Sequence, residues 1–403
     1  MAVCGRSAGR FPELLIIGAG ITGLSLAWRF KQQYPDCAVT VLDKEPQVAM
    51  HASGRNSGVL HAGFYYSSNS LKARLCRDGN AQMQDFCREH ELKLNACGKL
   101  VVTRDQSELP GLQKLFQQGL RNGVDVRLID EAEMREIEPN AMTHERALYS
   151  PNTATVDPIQ VCQFMRQELE AKGVVFALGT AYTGRRKRTV MTNNGVYEPG
   201  RLVNAAGLYA DKIAGDYGFG GNYTLLPFKG LYLGYEGDPA MLTRHIYPVP
   251  DPRQPFLGVH YTRTVDGRLK IGPTAIPAFW RENYHGTDNF KLREMLEVLW
   301  YEGCLLLTNR FGFRQLALQE TKKYWRPGFA RQAAHLTRTP PERFGSFLKP
   351  GIRAQLLDKR SLELVQDFVI EGDAYSTHVL NAVSPAFTCS LAFADHLMDK
   401  ISA

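Results

Sequence analysis

The run Leu14-Leu15-Ile16-Ile17-Gly18-Ala19-Gly20-Ile21-Thr22-Gly23 constrains this chain more than any other stretch. Four apolar residues read as a buried strand, and Gly18-x-Gly20-x-x-Gly23 reads as a turn that opens a helix. Gly18 permits the bend, Gly20 lets a diphosphate approach the backbone, and Gly23 lets the helix pack close to the strand. Ile21, Leu24, Ala27 and Phe30 continue at helical spacing. A second strand, Ala38–Leu42, then ends at Asp43, twenty residues after Gly23, where a ribose-binding acid is expected. The pattern predicts a βαβ unit that binds a dinucleotide.

At 403 residues, two interleaved domains are expected rather than one small core. No apolar run reaches the eighteen or more residues of a membrane span. The stretch before Glu13 has two arginines and no apolar centre, so it reads as neither a secretory signal nor a full transit peptide. The expected location is cytoplasmic, with peripheral contact at the inner face of the membrane as the variant. Eight cysteines are scattered without CxxC or Cys/His ligand spacing, so no metal site and reduced thiols are expected. A net charge of +7 suits an anionic substrate, an anionic lipid surface or nucleic acid. The densest basic run, Arg185–Arg188, reads as a solvated hairpin tip.

Along the chain, His51–Tyr66 alternates small residues with hydrogen-bonding ones, which is poor core material and fits a loop against a flat polar ligand. Leu71–Glu89 reads as a helix. Residues 92–150 hold short strands (Lys99–Thr103, Val126–Ile129) and a helix near Leu109–Arg121, together a cap. Asp157-Pro158 reads as an N-cap and first helical residue, with Val174–Phe176 following as a strand. Arg201–Gly207 reads as a parallel strand running into small residues at the cofactor. Between Leu225 and Ala275, alternating segments (Gly230–Gly234, His245–Tyr247, Phe256–Thr262, Leu269–Gly272) predict an antiparallel sheet. Residues 288–349 read as largely helical, with Phe290–Trp300 first. Gly351–Gln355 and Phe368–Ile370 read as strands, and Ser384-Pro385 as the cap and first residue of a last helix. The expected fold is mixed α/β. A Rossmann-like FAD-binding domain (12–90, 150–222 and 350–400) is interleaved with an antiparallel-sheet substrate or cap domain (91–149 and 223–349).

The glycine motif, His51–Tyr66, Asn204–Gly207 and Asn381–Ala386 together resemble the D-amino-acid-oxidase-like superfamily of FAD enzymes. Within it, Asn56–Gly63, Ile246–Pro252 and Phe256–His260 are similar to the L-2-hydroxyglutarate dehydrogenases and oxidases. The resemblance implies oxidation of L-2-hydroxyglutarate to 2-oxoglutarate, with FAD reduced. It also implies cofactor contacts at Gly18, Gly20, Gly23, Asp43, Lys44, Ser53, Asn56, Ser57, Gly58, Gly207 and Ser384. His61 and His260 lie in family motifs and are the candidates for the base that takes the hydroxyl proton. His61 has a rival role, because related dimethylglycine dehydrogenases carry FAD covalently on a histidine in a similar context. Arg353, in a Gly-x-Arg setting, is the first choice for a substrate carboxylate. Lys229 stands where the family usually has arginine and is the candidate for the distal carboxylate; Tyr65 is a candidate hydrogen-bonding group.

The alternative substrates are another small anionic hydroxy acid or amino acid, sarcosine-like or glycerol-3-phosphate-like. A transfer-RNA-associated flavoprotein ranks below them, since no nucleic-acid motif is visible and no nucleic-acid partner is expected. The expected partners are a small dicarboxylate and an electron acceptor, quinone or oxygen.

Overall fold

The structure is a computed structural model that describes residues 12–251, 257–339 and 343–402. It divides into two compact units. The first takes the described residues up to Asn56, then Pro158–Leu226 and the chain from Arg353 onward; the second takes Ser57–Asp157 and Pro227–Ile352. The sequence reading joins 57–90 and 150–157 to the first unit. They pack instead in the second, where strand Val59–Leu60 pairs with Ala154–Val156, and that strand pairs with Leu94–Asn95.

In the first unit a six-stranded sheet has the order Val369–Gly372, Ser376–Asn381, Arg201–Asn204, Leu14–Ile17, Val39–Asp43, Val175–Leu178. Its pairs are parallel except for the first, which is antiparallel. Leu14–Ile17 is buried throughout, as a central parallel strand covered on both faces must be. Helix Ile21–Gln33 packs against Pro158–Ala171 and Ala386–Ser402. The last helix starts at Ala386, not at Pro385. Cys389 donates its backbone N–H to the Pro385 carbonyl, which puts Pro385 at the cap and Ser384 one residue outside it. Cys37 is disulfide-bonded, an exception to the expectation of reduced thiols. The Arg185–Arg188 run lies at the hairpin Tyr182–Arg186 and Thr189–Thr192, with the Arg185 guanidinium 4.4 Å from the Tyr217 ring.

The second unit is built on an eight-stranded sheet. Its order is Phe344–Phe347, Leu233–Tyr235, Leu269–Gly272, His260–Arg263, His245–Pro248, Lys99–Val102, Arg146–Ser150, Arg127–Asp130. Two expectations change here. The strands of 92–150, read as a partial cap over the first domain, continue this sheet, joined through a parallel pairing of His245–Pro248 with Lys99–Val102. Gly230–Gly234 is not one strand: Tyr223–Gly230 ends before Leu233–Tyr235 begins. The first helix after 288 is Leu292–Thr308 rather than Phe290–Trp300, and the helical segment closes with strand Phe344–Phe347. Residues Pro252–Phe256 of two sequence motifs lie outside the described residues.

Period-two alternation decides what each face of this sheet carries. Ile246 pairs with Tyr261, and Tyr261 with Ile271, so these three share a face. Leu100, Val102 and Leu269 join them in one buried apolar cluster closed by Phe329, Ala333 and Leu336. Lys99 is in register with His245, Val101 with Tyr247, and Thr262 with Lys270. The opposite face therefore collects Lys99, His245, Tyr247, His260, Thr262 and Lys270.

Candidate active site

In the first unit the glycine turn is tight. Gly18 has φ +114°, and a Cβ there would lie 2.4 Å from the Ala205 carbonyl oxygen. A Cβ on Gly23 would lie 2.0 Å from the Gly18 carbonyl, the close helix–strand packing expected of the third glycine. Gly20 is the N-cap of helix Ile21–Gln33 and no side chain caps it, which leaves first-turn N–H groups for an anion. Ser53 sits against this turn and accepts the Ile21 N–H at 2.9 Å.

Asp43 accepts the Ala19 N–H at 2.7 Å and the Glu45 N–H at 2.9 Å, so it ties the glycine turn to the second strand. A carboxylate has further lone pairs for a ribose hydroxyl beyond those two bonds. Burial raises its pKa, against which these two N–H donors act. Lys44 pairs with Glu45 and lies 3.2 Å from His51. Asn56 donates to the Ala52 and Ser53 carbonyls, which closes its loop. Gly207, at φ +54°, has open space where a Cβ would project. Beside it Asn204 donates to the Ala210 carbonyl and lies 3.1 Å from His378 Nδ1. Arg353 is half-buried near the start of strand Gly351–Asp358. A turn with no room for side chains, an uncapped helix start and a carboxylate at the second strand's end fit FAD.

In the second unit, Ser57 Oγ accepts the Val59 N–H at 3.2 Å, and the Gly58 carbonyl accepts the Val156 N–H at 2.9 Å. These bonds lead the chain to His61, whose carbonyl is held by Cys76 Sγ at 3.2 Å and Asn80 Nδ2 at 3.1 Å. His61 Nδ1 lies 3.4 Å from Lys99 Nζ. Lys99 is fully buried. Its ammonium group lies 4.2 Å from the Tyr247 ring centre, 5.2 Å from Tyr65 and 5.6 Å from Phe64. No carboxylate among the described residues pairs with it. Burial pulls the Lys99 pKa down to about 7. Burial, then the nearby Lys99 charge, holds His61 well below its ordinary range, as a neutral imidazole.

His260 stacks on Tyr247 with centroids 3.6 Å apart and 17° between planes. Its Nδ1 lies 2.8 Å from the Gly258 carbonyl, an acceptor only, so Nδ1 carries the proton and Nε2 the lone pair. The Tyr65 hydroxyl is buried with no partner among the described residues. Lys229 is nearly buried and donates to Asn283 Oδ1 at 3.3 Å; burial lowers its pKa.

His61, His260 and Tyr65 thus share one aromatic cluster in the second unit, while Lys229 stands on strand Tyr223–Gly230. Sequence reading misses Lys99, Lys270 and His245. Lys270 lies 4.8 Å from the Tyr232 ring with its pKa lowered by burial to about 8. Lys99 and Lys270 each stand in an apolar strand, Lys-Leu-Val-Val and Leu-Lys-Ile-Gly, and that mismatch was the available signal. His245 is structural: it accepts the Arg263 N–H at 3.1 Å on Nδ1, and its Nε2 meets Thr155 Oγ1 at 3.0 Å.

The family model for FAD dependent oxidoreductases matches residues 13–372. The L-2-hydroxyglutarate dehydrogenase of Bos taurus mitochondria is 34% identical, over 99% of this chain and 97% of that protein. That of Escherichia coli K12 is 32% identical, over 96% and 93%. Among solved structures, the FAD-bound L-alpha-glycerophosphate oxidase of Mycoplasma pneumoniae aligns with a TM-score of 0.73 at 20% identity, over 98% of this chain and 96% of that one. Glycine oxidase from Geobacillus kaustophilus aligns with a TM-score of 0.72 at 15% identity, over 98% and 95%. At those identities the likeness concerns the fold alone.

Proposed function

The chain belongs to the L-2-hydroxyglutarate dehydrogenase family of FAD-dependent oxidoreductases, acting on a CH–OH donor, and from that premise we propose that it oxidises L-2-hydroxyglutarate to 2-oxoglutarate. The observation that carries this reading is the polar face of the eight-stranded sheet. There a histidine with its Nδ1 proton held by a carbonyl stands in one cluster with the buried Lys99, which pairs with no carboxylate among the described residues. Buried cations without counter-ions are costly in a resting fold and favour a dianionic ligand.

When bound, FAD would supply the two-electron acceptor that takes hydride from the substrate carbon. The glycine turn and Asp43 would hold its diphosphate and ribose; Ser53 and Asn56 would set the loop beside them, and Gly207 would leave room for the ring. His260 Nε2 takes the hydroxyl proton, with the Gly258 carbonyl holding the imidazole in the tautomer that can accept it. Lys229 holds the distal carboxylate, and Tyr65 donates to a substrate oxygen. Mixing the holoenzyme anaerobically with L-2-hydroxyglutarate should bleach the flavin band, while the D-enantiomer and sarcosine should not. Bleaching by sarcosine alone would refute the substrate class.

The acceptor we favour is a membrane quinone. What supports it is helix Leu292–Thr308, where Leu292, Leu296, Leu299, Trp300, Leu306 and Leu307 are exposed. At 100° per residue they share one side roughly 120° wide, opposite buried Val298 and Leu305. Exposed Arg293, Arg310, Arg314 and Lys322 accompany them, as suits an anionic bilayer surface. No helix among the described residues is long and apolar enough to cross a membrane.

A further inference from the structure

The Lys229 ammonium group is held by an amide rather than by a carboxylate. Its backbone is clamped by Thr274, whose hydroxyl donates to the Lys229 carbonyl at 2.9 Å and accepts the Leu231 N–H at 2.9 Å. At the far end of the side chain, Nζ donates to Asn283 Oδ1 at 3.3 Å, and both residues are buried. Asn283 Nδ2 in turn donates to the Gly286 carbonyl at 3.0 Å. We propose that Asn283 is a positioning residue for the substrate's distal carboxylate, a neutral acceptor that holds the Lys229 ammonium group in place without cancelling its charge. The inference rests on the reading of Lys229 as the distal-carboxylate contact.

Two neighbours of opposite kind fix the amide. An ammonium group only donates and a peptide carbonyl only accepts, so Oδ1 must face Lys229 and Nδ2 must face Gly286. The turn that carries Gly286 thereby aims the oxygen, and the oxygen aims Nζ. An ammonium group has three donors. Among the described residues Asn283 takes one of them, which leaves two for a carboxylate.

Charge is the second half of the argument. A buried lysine whose duty is only structural is best served by a carboxylate partner. Lys229 has none among the described residues, and the acid beside Asn283 in the chain, Glu282, accepts from Asn289 Nδ2 at 3.2 Å. Burial is accordingly what lowers the Lys229 pKa, and an arriving carboxylate favours the charged form. An aspartate at 283 has nearly the same shape as asparagine but the opposite consequence. It would close an ion pair with Lys229 and repel a second carboxylate brought to the same point.

Binding of 2-oxoglutarate, and of 2-oxobutyrate, which lacks the distal carboxylate, is read from the flavin absorbance of the oxidised holoenzyme. Flavin reduction by the two matching L-hydroxy acids is followed anaerobically. In Asn283→Asp the Kd for 2-oxoglutarate should rise about 10–100-fold, while that for 2-oxobutyrate stays within about threefold. The reduction rate at saturating L-2-hydroxyglutarate should stay within about threefold, so the loss falls on KM. Asn283→Ala, which releases the ammonium group without opposing it, should raise the 2-oxoglutarate Kd about 3–10-fold. In a Lys229→Met background the same alanine substitution should add less than about twofold, because Asn283 acts through Lys229. Equal losses on both ligands in the Asn283 variants, or an undiminished alanine effect in the Lys229→Met background, would overturn the proposal. If Lys229→Met itself leaves the ratio of the two ligands unchanged, the reading of Lys229 fails and the proposal falls with it. A ratio that drops in Lys229→Met but not in Asn283→Asp overturns the proposal alone and leaves that reading standing. Should Asn283→Asp not fold, Asn283→Ala decides through the two-ligand ratio and the double variant.

Discussion

Replacing Lys229 with methionine tests the assignment of the distal-carboxylate contact. Lys229 is 7% exposed, and among the described residues its ammonium group hydrogen-bonds to the neutral Asn283 amide at 3.3 Å. Methionine keeps the stem's bulk and leaves only the Asn283 oxygen to be resatisfied, so the fold should lose little. If Lys229 holds the distal carboxylate, the substitution removes a charged hydrogen bond worth about 1.5–3 kcal/mol. At 1.4 kcal/mol per tenfold, that predicts a drop of about 10–150-fold in kcat/KM for L-2-hydroxyglutarate. L-2-hydroxybutyrate, which lacks the distal carboxylate, should react with both enzymes within about threefold. Anaerobic stopped-flow bleaching with the two substrates measures the ratio directly. Lys229→Arg separates charge from geometry: a planar fork gives two parallel bonds to a carboxylate, so it should match or exceed wild type on the dicarboxylate. An equal loss on both substrates in Lys229→Met would refute the assignment, since a distal contact cannot act on an acid that has no distal group.

Gly18→Ala should release FAD, because its Cβ would sit 2.4 Å from the Ala205 carbonyl at φ +114°; flavin absorbance after gel filtration should fall at least about tenfold, and full retention would refute the cradle. Glu302 is buried and its carboxyl is pushed up to about 8 by burial, so between pH 4.5 and 8 the unfolded chain holds fewer protons and stability falls as pH rises. Glu302→Gln should therefore match wild type at pH 5 and exceed it by about 1–3 kcal/mol at pH 9 in urea unfolding, under a ceiling of about 5 kcal/mol from the shift; parallel pH profiles would refute this. Holoenzyme should float with vesicles containing phosphatidylserine and not with neutral ones, and Leu296→Glu with Leu307→Glu should cut the bound fraction about fivefold. Equal flotation by the double variant would remove the helix from the reading.

Much of the first unit was legible because its signals are local. Leu14–Ile17, the three glycines and Asp43 lie within thirty residues, and each answers to a steric or hydrogen-bonding demand of one turn. The helices Leu71–Glu89 and Leu109–Arg121 were likewise readable from their periodicity. The last helix slipped by one residue, since Ser-Pro matches a cap followed by a first residue as well as a residue followed by a cap. The second unit's sheet was less legible because pairing is non-local. Nothing near Lys99–Val102 announces a parallel partner more than 140 residues away at His245–Pro248.

The same non-locality hid the lysines of the site. In sequence, Lys99 and Lys270 look like surface interruptions of short apolar strands, the ordinary meaning of a lysine every second residue. Their meaning reverses once the register is known, because the face they share carries the buried His245, Tyr247 and His260. Where such a face is buried, each polar residue it keeps must be compensated by a neighbour or by a ligand. His245 is compensated by Thr155 and the Arg263 backbone. Lys99 has His61 and three rings, and Lys270 has one ring, with no carboxylate for either among the described residues. That remainder of uncompensated positive charge, more than either histidine alone, argues that the missing partner is an anion.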